Sequence, residues 1–80
     1  MEKIIEILED LNPGVDYETS KRLIDDRILD SLTILALIAE LEDVFDITIP
    51  AVEIVADNFN SVKSMQALIT RLGEEELEEL

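Results

Sequence analysis

The chain has 80 residues, with 20 acidic side chains against 6 Lys and Arg, no histidine and no cysteine, for a formal charge of −14. Without thiols or imidazoles it has no disulfide framework, no thiolate nucleophile and no histidine acid–base chemistry, and a bound metal is not expected. The acid also argues against nucleic acid and anionic membrane surfaces, which need clustered cations, and favours partners with basic docking patches.

Taken in chain order, Ile4, Ile5, Ile7, Leu8 and Leu11 recur at three-and-four spacing and predict a first helix from Glu2 to Leu11. Asn12-Pro13-Gly14 ends it, because proline cannot continue the hydrogen-bond ladder. From Val15 to Leu29 the apolar residues Val15, Tyr17, Leu23, Ile24, Ile28 and Leu29 are irregularly spaced. That segment reads as a long loop, functional or hiding a helical turn. Asp30 is a candidate N-cap for a second helix over residues 31–45, since a short carboxylate can accept from the free amides of a first turn. Ile34, Leu37, Ile38, Leu41, Val44 and Phe45 form its expected core stripe. Leu32, Leu35, Ala36 and Ala39 widen the apolar surface beyond one buried face, so the helix is either central to the fold or keeps an apolar strip for a partner.

Asp46-Ile47-Thr48-Ile49-Pro50 reads as an extended connector, not as a sheet strand. Between Ala51 and Asn60 a short helix or turn carries Ile54, Val55 and Phe59. Asn60 or Ser61 caps a last helix over 62–72, with Val62, Met65, Leu68, Ile69 and Leu72 inward and Gly73 as its stop. The chain thus divides into one domain over 1–73 and an acidic tail over 74–80, in which Leu77 and Leu80 are placed to dock one more turn. The expected fold is all-α: three main helices plus one short helix, with a long loop between the first two. No apolar run approaches the ~20 residues of a membrane span, and Met1-Glu2-Lys3 lacks the layout of a signal peptide. A cytoplasmic monomer is expected.

Chemistry concentrates at one position. Ser31 stands where the second helix begins, among amides without intrahelical acceptors and at the positive end of the helix dipole. A phosphodiester on that hydroxyl is favoured electrostatically, and the preceding loop gives an enzyme room to approach. Read alone, the same residues describe an ordinary helix start.

Asp30-Ser31-Leu32, the apolar helix after it, Phe45-Asp46-Ile47-Thr48-Ile49-Pro50 and Phe59-Asn60-Ser61-Val62 together resemble the acyl carrier protein family, which includes the peptidyl and D-alanyl carriers. The resemblance spans nearly the whole chain. It implies a non-enzymatic carrier domain over 1–73, with 4'-phosphopantetheine transferred from coenzyme A to Ser31 by a phosphopantetheinyl transferase that recognises Asp30 and Leu32. The arm brings the thiol that the chain lacks, and holds acyl groups as thioesters. It further implies that helix 31–45 meets basic patches on acyl- or aminoacyl-loading and acyl-transfer enzymes through Glu40, Glu42 and Asp43, with Leu35, Ala36 and Ala39 beside them. Leu37, Leu41, Phe45 and Ile49 are either cavity lining for an acyl chain or plain core. Fatty-acid carriers usually follow Asp-Ser-Leu with acids where this chain has Thr33 and Ala36, and often carry a glycine where it has Ile28-Leu29. These departures favour a specialised acyl or aminoacyl pathway over fatty-acid synthesis. The alternative is a non-catalytic acidic interaction module with Ser31 unmodified. A calcium or metal-carboxylate protein lacks the required loop spacing.

Net self-repulsion at −14 gives a direct expectation. Added salt or millimolar magnesium raises the melting temperature, and a Tm indifferent to both would contradict it.

Overall fold

The computed structural model describes residues 2–78, and their order is α1 (Glu2–Leu11), α2 (Ser31–Phe45), a 3₁₀ turn (Ala51–Glu53), α3 (Ala56–Phe59) and α4 (Val62–Glu78). Helix α1 packs on α2 and on α4, and the single turn α3 packs on α4. Among the described residues there is no strand. The chain is an all-α bundle.

The heptad-like spacing in α1 turns Ile4, Ile7 and Leu8 inward, where they meet Leu37, Ile38 and Leu41 of α2 and Met65, Leu68 and Ile69 of α4 in one core. Full burial of a leucine or isoleucine stabilises by about 1.5–3 kcal/mol, so these side chains supply most of the favourable energy of a small domain. Val44, expected inward, is 38% exposed because it lies at the edge of the α2 stripe, away from the line through Leu41 and Phe45.

The segment between α1 and α2 is not helical, yet it is far from loose. Tyr17, Leu23 and Leu29 are buried in the core, and Val15, Ile24 and Ile28 pack against it. Asn12 donates from Nδ2 to the Ile28 carbonyl at 2.9 Å, and the Tyr17 hydroxyl donates to the Asn12 carbonyl, so the end of α1 is stitched to the loop it releases. Burial, and secondarily the nearby Glu9 carboxylate, hold the Tyr17 phenol above its ordinary pKa and keep it a donor. Gly14 takes φ +88° in the turn after Pro13, and Arg27 takes φ +57° where the chain reverses toward Asp30.

Helix α2 ends at Asp46, whose left-handed conformation (φ 52°) lets its N–H reach the Glu42 carbonyl. The Glu42 carboxylate then accepts the Ile49 amide at 2.8 Å, and Ile47 and Ile49 turn into the core while Thr48 and Pro50 face out. The connector is extended, and its alternation has this physical meaning. The expected short helix lies at Ala56–Phe59, where Phe59 is buried, and Ile54 and Val55 just before it stay exposed. Ser61 caps α4, accepting the Ser64 amide at 3.1 Å while Ser64 Oγ accepts the Ser61 amide at 3.3 Å.

Gly73 does not stop α4. Its φ is not positive, and the helix runs on to Glu78 because the glutamates and leucine beyond it are good helix formers, outweighing a single glycine's penalty of about 1 kcal/mol. The expected docking of Leu77 and Leu80 rests on side chains outside those described.

Replacing Leu41 by Ala should lower the unfolding free energy by about 2–5 kcal/mol. Val44→Ala should stay within about 0.5 kcal/mol, since its side chain is partly in water already. Urea denaturation monitored by circular dichroism measures both.

Candidate functional site

Asp30 sits in extended backbone just before α2, and its Oδ1 accepts the Thr33 amide at 2.8 Å while its carbonyl accepts the first helical N–H, from Ile34, at 2.9 Å. This is the N-cap that the sequence predicts. Those bonds, Thr33's above all, hold the Asp30 carboxyl below the usual carboxylate range. Ser31 is the first residue of the helix and is exposed, and among the described residues its hydroxyl makes no hydrogen bond. An exposed, unengaged hydroxyl with open solvent ahead of it fits a long phosphate-linked arm.

The flanking positions divide by chemistry. Leu32 and Leu35 are 77% and 63% exposed, Ala39 is exposed and Ala36 half-buried. Spacing of three and four residues puts Leu32, Ala36, Ala39 and Asp43 on one outward line, with Leu35 and Glu40 on either side. The outward face of α2 is therefore apolar near Ser31 and acidic further along. Glu40 and Asp43 are exposed, whereas Glu42 is half-buried and bonded to Ile49. Sequence reasoning missed a second exposed apolar group. The 3₁₀ turn and the chain after it expose Val52, Ile54 and Val55, with Val52 at 82%. The turn is held by the Glu53 carboxylate, which accepts from Arg71 of α4, and by the Glu53 carbonyl, which accepts from Asn58 Nδ2 at 2.8 Å. The Arg71 bond, more than any other contact, keeps the Glu53 carboxyl below its ordinary pKa.

Two of the hollows in the described surface bear on where a cargo could sit. A small one of about 70 Å³ lies among Ile24, Ile34, Ile54, Val55, Ala56 and Phe59, where the loop, α2 and α3 converge. The other, about 580 Å³, is lined by Ile5, Tyr17 and Val62 with Lys21 and Lys63 and includes none of Asp30, Ser31 and Leu32, so size alone does not mark the site of chemistry. Neither hollow is lined by Leu37, Leu41, Phe45 or Ile49, and Leu37, Leu41 and Ile49 are buried as core. Among the described residues no group of three acidic side chains is arranged to hold a metal ion. None of the described helices is long and apolar enough to cross a membrane.

Residues 3–69 match the family described as "Phosphopantetheine attachment site". The chain belongs to this family of phosphopantetheine-binding carrier proteins, which carry the cofactor covalently, interact with transferases and acyl-transfer enzymes, and are not enzymes themselves. It is 30% identical over 79 residues to a D-alanyl carrier protein of Lactobacillus delbrueckii subsp. bulgaricus, covering 92% of this chain and 94% of the relative. It is 38% identical over 72 residues to the D-alanyl carrier protein of Streptococcus mutans (88% and 86% covered), and 35% over 71 residues to that of Streptococcus sanguinis (88% and 90%). No solved structure gave a significant match.

The depressed Asp30 pKa fixes the sign of a pH effect. The cap contributes stability above the carboxyl's unfolded pKa and loses it as the pH falls through the lower folded value. The difference in melting temperature between wild type and Asp30→Ala should therefore be full at neutral pH and shrink as the pH drops below about 4. Thermal melts of both chains across that range test it.

Proposed function

We propose that the chain is a cytoplasmic aminoacyl carrier in which Ser31 bears 4'-phosphopantetheine and the cargo is D-alanine or a similarly small acid. The observation that carries the attachment site is the exposed, unbonded Ser31 hydroxyl at the first position of α2, fixed there by Asp30. When bound, the arm supplies a terminal thiol that holds the cargo as a thioester. The protein's own residues do the rest: Asp30 fixes the helix start, Ser31 offers the oxygen, and Leu32 stands beside it as an apolar handle for the transferase.

Two observations support a small cargo. The relatives named above are D-alanyl carriers over nearly their full length. The hollow nearest the start of α2, lined by Ile34, has about 70 Å³, roughly the room of two waters, so a long acyl chain would have to force the core apart. Thr33 and Ala36 replace the acids of fatty-acid carriers and leave the part of α2 nearest Ser31 apolar. A loading enzyme would then meet Leu32, Leu35, Ala36 and Ala39, joined by Val52, Ile54 and Val55, with Glu40 and Asp43 steering a basic rim. Glu42 contributes charge, while its carboxylate stays committed to Ile49.

Incubation of the full chain with coenzyme A and a broad-specificity phosphopantetheinyl transferase should add one phosphopantetheinyl group by intact mass, and Ser31→Ala should abolish the gain while leaving the circular dichroism unchanged. The loaded protein should accept D-alanine from a D-alanine-activating enzyme. It should not gain thermal stability when a long-chain acyl group is attached. Failure of wild type to gain mass with several transferases would leave the unmodified interaction module as the better reading. A several-degree rise in Tm with a long chain would overturn the small cargo.

A further inference from the structure

The Phe59-Asn60-Ser61-Val62 segment has an arrangement at Asn60 that neither the cap of α4 nor the core requires. Ser61 does the capping, and Phe59 does the packing. Asn60 instead faces the loop. Its Oδ1 accepts the amides of Ile24 at 2.9 Å and Asp25 at 3.1 Å, using both lone pairs, and its Nδ2 donates to Asp25 Oδ2 at 3.2 Å. Its carbonyl accepts the Leu23 amide at 2.9 Å, and its own N–H closes α3 on the Ala56 carbonyl at 2.8 Å.

The next link leads to the serine. The Leu23 carbonyl accepts the Leu29 amide at 3.0 Å, and Leu29 is followed directly by Asp30 and Ser31. Leu23 and Leu29 are both buried, so this rung is anchored in the core. From the other side Asn12 reaches the same stretch, through the Ile28 carbonyl. Asn60 thus joins two surfaces: the apolar ridge of Ile54 and Val55 leading into α3, and the backbone that presents Ser31.

We infer that Asn60 is a positioning residue, whose carboxamide locks the loop at 23–25 to the α3–α4 junction and so fixes where the Ser31 hydroxyl stands relative to the surface an enzyme grips. The inference rests on the carrier reading with Ser31 as acceptor. A transferase docked on α2 and α3 finds the hydroxyl in place only if the two surfaces keep one spacing, and a misplacement of ångström size is costly to a group transfer. The side chain is therefore expected to act on turnover more than on docking. The backbone bond from Leu23 to the Asn60 carbonyl survives any side-chain change and keeps the variants folded.

The test measures transferase kinetics with coenzyme A and the full apo chain as the varied substrate. Asn60→Ala, which removes all three side-chain bonds, should lower kcat about tenfold with KM within about twofold of wild type. Asn60→Asp keeps the acceptor but sets a second carboxylate against Asp25, and should lose as much. Adding Asp25→Asn to that variant (N60D/D25N) restores a donor–acceptor pair with the roles exchanged, and should return kcat to within about twofold of wild type. Amide exchange should quicken at Ile24 and Asp25 in Asn60→Ala while Leu41 and Leu68 stay protected.

A variant that merely lowers the folded fraction raises apparent KM and leaves kcat at saturation unchanged. That pattern, wild-type kcat in both single variants, or no rescue in N60D/D25N would overturn the inference. If wild type itself is not loaded, the carrier reading fails; if wild type is loaded and the variants are indifferent, only the role of Asn60 fails.

Discussion

The bundle depends on keeping a long non-helical stretch dry on one side and hydrogen-bonded on the other. Residues between α1 and α2 place Tyr17, Leu23 and Leu29 in the core, and a buried loop leaves backbone amides with no helix to satisfy them. Asparagines at the two ends of the problem supply the missing partners: Asn12 to the Ile28 carbonyl, Asn60 to the Ile24 and Asp25 amides. With those bonds in place the loop becomes a wall of the core, and α2 can begin at a fixed point. Without them the half-buried Ile28 carbonyl and Ile24 amide would lose their side-chain partners, and the loop its ties to the end of α1 and to the α3–α4 junction.

Charge and apolar surface divide the molecule differently from its core. Acidic side chains dominate the charged residues, as a charge of −14 requires, yet Leu32 and Leu35 on α2 and Val52, Ile54 and Val55 at and after the 3₁₀ turn remain uncovered. The few ion pairs among the described residues are surface pairs such as Lys3–Glu6 and Arg22–Asp26, worth little in water. Glu53 with Arg71 differs, because it ties the 3₁₀ turn to α4 and so sets where Val52 and Ile54 are displayed. Electrostatics here serves encounter and placement; burial carries stability.

Periodic segments were legible in the sequence, and so were the loop and the extended connector as such, but not the contacts that hold the loop. The bounds of α1 and α2 follow from the spacing of Ile4, Ile7, Leu8, Leu37, Ile38 and Leu41, and the Asp30 cap from residue type and place. Gly73 misled because a glycine after a run of helix ends it only when it turns left-handed. The residues beyond it make that choice, and here they are four glutamates and a leucine with strong helical preference. Which of Ile54, Val55 and Phe59 turns inward was not legible, because short apolar runs do not say which side faces the core. At the site, Ser31 was visible through its neighbours. Asn60 was visible only as part of a motif, since its partners Ile24 and Asp25 lie more than thirty residues away and no local pattern encodes them.

Tyr17 has an optical consequence. It is the one tyrosine in a chain without tryptophan, so ultraviolet absorption beyond the phenylalanine band and intrinsic emission both come from a single ring. That ring is buried, with its hydroxyl on the Asn12 carbonyl, at the seam between α1 and the loop that leads to Ser31. Its fluorescence is thus a label-free gauge of whether the seam is closed, readable in the same cuvette while the carrier is being loaded or handed on.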